Sequence, residues 1–296
     1  MLDNLENIFV TVIIPVYNDQ NGLSACLNAL NAQTWPKDRF EVIVVDNNSS
    51  SPIRLDQAFS DFARIVICRT PGSYAARNVG VAASHGKILA FTDADCRPDP
   101  NWIEAGVRAL LHEKENCIIG GEVSFIKSEG LTPVGKYQLL VGFQKFENIE
   151  KLGFTVTANL FVSRSQFQRI GLFNEKLLSG GDLEWSWRAA KAGLGVKYAP
   201  DTIVRTSARN SILAAIRQAR RVEGGRYTLR RMHLNFIPSS RLKPYRSAME
   251  SSLWILKHPE LSSADRLKVF MIASLIKISR TVESIRLSFG TTPERN

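Results

Sequence analysis

Within the first 125 residues, four short apolar runs alternate with stretches of helical pattern, and no other feature of the chain restricts its fold as much. The runs are 9–15 (FVTVIIP), 41–46 (EVIVVD), 64–68 (RIVIC) and 88–92 (ILAFT). Helical stretches lie near 20–33, 53–62, 73–84 and 100–113. Each run is short and rich in valine and isoleucine, as buried parallel strands are. Strand and helix in turn predict an α/β domain built on a parallel sheet. In such sheets ligands sit beyond the carboxyl ends of the strands. Three polar clusters stand at those ends: Pro15-Val16-Tyr17-Asn18, Asp46-Asn47-Asn48-Ser49 and Asp93-Ala94-Asp95. One would be ordinary loop chemistry. Three converging on one edge of a sheet predict a site.

The remainder is less regular. A strand is expected over 117–125, a helix over 134–147, a strand over 155–162 and a helix over 177–192, opened by Ser179-Gly180-Gly181-Asp182. Past residue 200 the pattern turns helical, over about 211–233, 245–257 and 264–288, with no internal repeat or low-complexity linker. A chain of 296 residues, 44% hydrophobic and 22% charged, can bury a sizeable core. Residues 1–9 carry Asp3 and Glu6 where a secretory signal would be basic and then apolar. Cys26, Cys68, Cys96 and Cys117 are far apart and form no CxxC pair, which argues against a zinc site and a disulfide framework and for reduced thiols in the cytoplasm.

Charge is unevenly placed. Residues 1–200 hold 20 Lys and Arg against 21 Asp and Glu, whereas 201–296 hold 18 against 7, so the net charge of +10 sits in the last third. Such a segment either attracts nucleic acid, anionic lipid or a phosphorylated substrate, or is a solvated helical surface. Within it, 269–276 (VFMIASLI) is apolar all round but far short of the ~20 residues a spanning helix needs. A helix over 264–288 with Lys268, Lys277, Arg280 and Arg286 can lie in a lipid headgroup layer, peripheral on the inner face of the cytoplasmic membrane. The bland alternative is packing on the protein itself or on a partner subunit.

The chemistry concentrates in three places. Asp93 and Asp95, two residues apart after a buried strand, can jointly hold a hard divalent cation such as Mg²⁺ and the phosphate it bridges. The small-residue turn at Gly72-Ser73 opens a helix with Arg77 in its first turns, where helix N-terminus and guanidinium both favour phosphate or a polar base edge. Asp182, at a glycine-flanked helix start, either caps that helix or accepts a proton from an acceptor hydroxyl. Glu184 and Trp185 beside it are candidates for acceptor contacts, although tryptophan at helical spacing also suits a core.

Together these residues resemble the family-2 nucleotide-sugar glycosyltransferases of the GT-A fold. The resemblance covers residues 8 to 230 and rests on five ordered motifs: VIIPVYN, VVDNNS, AARNVG, FTDADCRPDP, and GGDLEWSWRAAKAG followed by YAP. It implies a Rossmann-like mixed sheet flanked by helices over 1–232, with a nucleotide-binding half to about 125, an acceptor half beyond it, and a basic helical extension over 233–296. By the same resemblance Pro15, Tyr17 and Asn18 border the nucleoside, Asp46 bonds the base, and Arg77 contacts base or phosphate. Asp93 reaches ribose or metal, Asp95 ligates the Mg²⁺ or Mn²⁺ that bridges the diphosphate, and Asp182 is the catalytic base. The implied activity is inverting transfer of a sugar from a nucleotide-diphosphate donor, UDP-linked by preference, to a glycan or lipid-linked acceptor in polysaccharide, glycolipid or cell-envelope synthesis.

The chain departs from the family pattern in three respects. The residue before Asp182 is often acidic but is Gly181 here, and no histidine follows YAP. In the QxxRW motif of processive members Gln218 and Arg221 fit while Val222 replaces tryptophan, which favours single-sugar transfer. Three rivals fare worse. An NAD-dependent oxidoreductase needs a GxGxxG turn that the first strand lacks. A nucleotidyltransferase would carry a glycine-rich basic turn there. A nucleic-acid binder would leave the carboxylate clusters without a role, and no recognition signature supports one; nucleic acid is therefore not expected as a partner.

Overall fold

The computed structural model describes residues 7–113, 116–126, 130–142, 149, 153–232 and 250–293. Among them eight strands form one sheet: β1 Val10–Val16, β2 Phe40–Asp46, β3 Ala63–Ile67, β4 Ile88–Phe91, β5 Cys96–Pro98, β6 Cys117–Phe125, β7 Leu160–Ser163 and β8 Gly195–Thr206. Their order is β3-β2-β1-β4-β7-β6-β8-β5. The expected first four runs are the parallel part, β1 pairing with β2 and β4, and β2 with β3. Beyond β4 the pairings of β7 with β4 and β6, and of β5 with β8, are antiparallel. The sheet is thus mixed.

β1, β2 and β4 are mostly apolar, with Thr11, Glu41 and Asp46 as the polar positions, because both faces are covered; Ile13, Ile14, Ile43 and Ile88 are wholly buried. Described helices, in chain order, include α1 Gln20–Asn31, α2 Ser73–Ala82, α3 Trp102–His112, α4 Pro133–Val141, α5 Arg164–Ile170 and α6 Gly181–Lys191. Helix α2 lies hard against the sheet at Gly80, where a Cβ would stand 2.5 Å from Ile13 Cγ2. A side chain there would lift the helix that carries Arg77.

Two expectations need correction. Residues 53–62 form no α-helix: only a 3₁₀ turn, Gln57–Phe59, is present, capped by Asp56. The backbone of Arg54 is held instead by Gln20, whose Oε1 accepts its N–H at 2.9 Å and whose Nε2 donates to its carbonyl at 3.0 Å. The strand expected over 155–162 is confined to β7.

The chain forms two compact units, one from Met1–Ser124, Gln144–Lys176 and Gly181–Ser207, the other from Phe125–Phe143, Leu177–Gly180 and Ala208–Asn296. The second is helical, adding α7 Ile212–Arg231, α8 Glu250–Leu253 and α9 Ser263–Ser288 to α4. Its core holds Val134, Ala215, Ala219 and Ile276, with Ile255, Leu261, Val269 and Ala273 in a neighbouring cluster. The boundary expected after 232 adjoins residues 233–249, which lie outside the described residues, as do 143–147 of the helix expected over 134–147 and the start of that over 245–257. No described helix is long and apolar enough to cross a membrane.

Candidate active site

β1 and β2 end together, Val16 pairing with Asp46. β4 stops opposite Ile13, so β1 runs on past its neighbour. Pro15, which has no N–H to give, therefore falls where one side of β1 is open. The loops after β1 and β2 clasp one another. Asn18 N–H donates to Ser49 Oγ at 2.9 Å, and Asn18 Oδ1 accepts from Ser50 N–H at 2.8 Å. Asn18 and Asn48 both take left-handed backbone, with φ of 52° and 63°, which asparagine tolerates better than most residues. Asp46 is buried and its Oδ1 accepts from Ser49 N–H at 2.9 Å; Tyr17 stands exposed beside the loop.

Asn47 is the hub of this edge. Its amide donates to the carbonyls of Cys68 and Thr70, and its Oδ1 accepts from Gly72 N–H at 2.8 Å. The end of β3 is thereby tied to the start of α2. On α2, Arg77 is almost wholly buried and its Nη2 lies 2.5 Å from Asp93 Oδ1. Its guanidinium also sits 5.6 Å from the centre of the Tyr74 ring. Arg77 Nε is buried with no hydrogen-bond partner among the described residues. A buried orphan N–H beside a carboxylate cluster is what a ligand oxygen would satisfy.

Asp93 and Asp95 follow β4, and their carboxylates with Cys96 Sγ lie within 4.8 Å of one another. The turn is pinned from behind: Cys96 pairs with Thr206 across β5 and β8, and Thr206 Oγ1 donates to the Asp95 carbonyl at 3.2 Å. Burial, with Asp93 and Asp95 close by, pushes the Cys96 thiol well above its ordinary value. It stays a neutral thiol, which leaves the two carboxylates as the hard donors. The chemistry of this donor set fits Mg²⁺ or Mn²⁺.

Asp182 opens α6, partly buried. Its Oδ1 accepts from Leu183 N–H at 2.9 Å and from the Tyr74 hydroxyl at 3.3 Å. Burial raises its pKa above the ordinary aspartate value, against the pull of the Leu183 N–H, the Arg77 charge and the Tyr74 hydroxyl. Gly181 has a steric reason to be glycine, since a Cβ there would stand 2.7 Å from the Tyr74 ring. Tyr74 fills the space that a side chain before Asp182 would need.

The structure thus brings Arg77, Asp93, Asp95 and Cys96 into one cluster. Tyr74 joins Asp182 to that cluster, while Pro15, Tyr17, Asn18 and Asp46 line the same sheet edge. Glu184 and Trp185 are not part of it, contrary to the acceptor role expected of them. Glu184 is buried and held in a two-point ion pair by Arg188, at 2.6 and 2.9 Å. Trp185 is wholly buried against Phe167 and Phe173, and its Nε1–H donates to the Gly171 carbonyl at 2.7 Å. Trp185→Phe should therefore cost about 1–3 kcal/mol in a denaturant melt through the lost hydrogen bond and ring volume, with turnover per folded molecule unchanged.

Three contributors carried no role in the sequence reading: Asn47, Tyr74 and Asn78. Asn78 donates to the Phe173 carbonyl and to Glu175 Oε1, and accepts from Phe173 N–H, anchoring the segment that leads toward α6. Tyr74 and Asn78 are one helical turn apart, so a shared face was the available signal.

Residues 11–171, more than half of the chain, match the family model described as glycosyl transferase family 2. Among curated proteins, glycosyltransferase AglE of Haloferax volcanii is 39% identical over 200 residues, covering 66% of this chain and 66% of the relative. The pre-mycofactocin glycosyltransferase of Mycobacterium tuberculosis is 28% identical over 213 residues, covering 69% of this chain and 43% of the relative. The alignments thus span just under two thirds of the first relative and less than half of the second. Among solved structures, the mannosyltransferase PcManGT from Pyrobaculum calidifontis, in complex with GDP-Man and Mn²⁺, superposes with a TM-score of 0.60 at 19% identity, over 94% of this chain and 87% of that one. S. aureus TarS gives a TM-score of 0.51 at 18% identity, over 93% and 55%. At that identity both speak to the fold, which is GT-A.

Proposed function

The chain belongs to glycosyl transferase family 2, and from that membership we propose that it moves a single sugar from a nucleotide-diphosphate donor to an acceptor hydroxyl, with inversion and with Mg²⁺ or Mn²⁺ bound. The observation that carries this reading is the Asp93–Asp95 cluster after β4, with Arg77 paired to Asp93 and presenting a buried, unsatisfied Nε. PcManGT, of the same fold, is a complex with GDP-Man and Mn²⁺. In this reading Asp46, Pro15, Tyr17 and Asn18 hold the nucleoside, and Arg77 and Asp93 face the ribose and diphosphate. Asp95, with Asp93, holds the cation.

The cation, when bound, neutralises charge on the departing diphosphate. The chain's own groups supply the rest. Arg77 adds a fixed positive charge beside the carboxylates. Asp182, whose Oδ1 takes the hydrogen bonds from Leu183 N–H and the Tyr74 hydroxyl, accepts the proton of the acceptor hydroxyl. The acceptor oxygen then bonds to the anomeric carbon as the bond to the diphosphate oxygen breaks on the opposite face. One displacement inverts the centre. Positioning and electrostatics do most of the work.

A panel of nucleotide sugars incubated with Mn²⁺ and no acceptor tests the donor class. The expected result is slow release of nucleoside diphosphate from one donor, with UDP-linked sugars the first to try and GDP-linked sugars alongside. Silence across the panel with Mn²⁺, and again with Mg²⁺ in its place, would contradict the reading.

Asp182 can act only when ionised. Because burial holds its pKa above the ordinary 3.8, transfer should fall away as pH drops through a point above that value. The Tyr74 hydroxyl pulls the pKa back down. Tyr74→Phe should therefore move this acid limb to higher pH, read from kcat/KM against pH, with nucleotide affinity unchanged. The linkage to stability has the opposite sense. The folded chain holds this proton more tightly than the unfolded one, so the group favours folding at low pH and loses that contribution as pH rises through its folded pKa.

A further inference from the structure

Helix α9, Ser263–Ser288, buries one face in its own unit through Val269, Ala273, Ile276 and Leu287. Its other face is apolar and bare. Leu267, Met271, Ile278, Val282, Ile285 and the capping residue Phe289 are each more than half exposed. At about 100° per residue these six fall within an arc of about 60°, a continuous stripe along the helix. A stripe of this size left in water is a docking surface.

The charges beside the stripe indicate what covers it. The two acidic side chains of α9 are both engaged elsewhere in the unit. Asp265 pairs with Lys136 at 2.8 Å, and the wholly buried Glu283 is gripped by Arg220 and Arg286 at 3.0 and 2.6 Å. No carboxylate of the helix borders the stripe, whereas Lys268 lies exposed along one flank; Lys277, on the other side, is half-buried and donates to Ser252 Oγ. Paired helices from two copies of the chain would offer Lys268 no acidic partner, where a stable seam sets opposite charges. A surface of anionic phosphates complements Lys268, and residues 201–296 carry the positive balance, 18 basic against 7 acidic, to match. The helix is too short in apolar length to span, so it would lie flat.

We propose that this stripe docks on an anionic lipid bilayer, its apolar side chains reaching the acyl boundary and Lys268 lying among the phosphates. The proposal stands apart from the sugar-transfer reading. Its test is sedimentation of the full chain with phosphatidylcholine vesicles, with and without phosphatidylglycerol, at low and high salt. The chain should sediment with the phosphatidylglycerol vesicles at low salt and be released by high salt. Ile278→Glu with Val282→Glu, both at exposed positions, should lower the bound fraction by more than about tenfold at an unchanged melting temperature. Lys268→Glu should weaken binding independently, as a second variant that leaves the stripe intact. Failure of the parent to sediment with anionic vesicles would overturn the proposal. So would a parent dimer, by sedimentation velocity, that the double variant converts to monomer without altering vesicle binding. Nucleoside diphosphate affinity, measured on the same preparations, is expected to be equal in all variants and separates this outcome from any failure of the donor site.

Discussion

Asp182→Asn is expected to bind nucleotide and metal as the parent does while transferring sugar about 10² to 10⁴ times more slowly, the usual range for loss of a general base. Asparagine keeps the size of the side chain, and its Oδ1 can still accept from Leu183 N–H and the Tyr74 hydroxyl. What it loses is basicity. Burial disfavours the carboxylate here, so the neutral amide should leave the melting temperature unchanged or slightly raised. If Asp182 were only a helix-terminal residue, turnover per folded molecule would be retained with at most a small stability loss, since asparagine caps a helix about as well as aspartate. Nucleotide affinity, melting temperature and turnover on one preparation distinguish the two. Full turnover would remove Asp182 from the chemistry. Glu184, the neighbouring carboxylate, is held by Arg188 in the core and is poorly placed to replace it.

Asp95→Ala should abolish metal-dependent donor binding. Asp93 already shares its charge with Arg77 at 2.5 Å, so Asp95 is left as the principal hard donor, and without it the diphosphate charge goes uncompensated. Calorimetric titration of nucleoside diphosphate should show tighter binding with Mn²⁺ in the parent by at least about a hundredfold, and no difference in the variant. The alanine loses the Cys96 thiol contact to Oδ1 but keeps the backbone anchor, because Thr206 holds the turn through the Asp95 carbonyl. A variant whose affinity still rises with Mn²⁺ as the parent's does would move the metal elsewhere.

Much of this site was legible before any coordinates. β1, β2 and β4 read as strands because both their faces are buried, which gives a nearly continuous apolar run, interrupted only by Thr11 and Glu41, instead of an alternating one. Asp46, Asp93 and Asp95 stood out only because they follow such runs. β5 and β8 were not legible. β5 has three residues, and β8 mixes buried with exposed positions over Gly195–Thr206 and contains Pro200, so neither presents an apolar signal. Residues 53–62 misled for a related reason: the composition allows a helix, but Gln20 on α1 captures the Arg54 backbone. The contact between Tyr74 and Asp182 joins residues 108 apart, and nothing local announces it. Trp185 satisfied two readings at once, pocket wall and core. Two phenylalanine rings and a backbone carbonyl decided for the core.

Family membership places the chain among glycosyltransferases; what remains to be established for its own residues is single-displacement transfer with Asp182 as base. The most direct measurement is the anomeric configuration of the sugar at the moment of release, followed by proton NMR during Mn²⁺-dependent turnover of the donor found in the panel. Water or acceptor attacking the face opposite the diphosphate gives a first-formed product of inverted configuration, and the account predicts that product alone before mutarotation. A first-formed product that keeps the donor's configuration would contradict it, since retention requires a route other than one displacement assisted by Asp182.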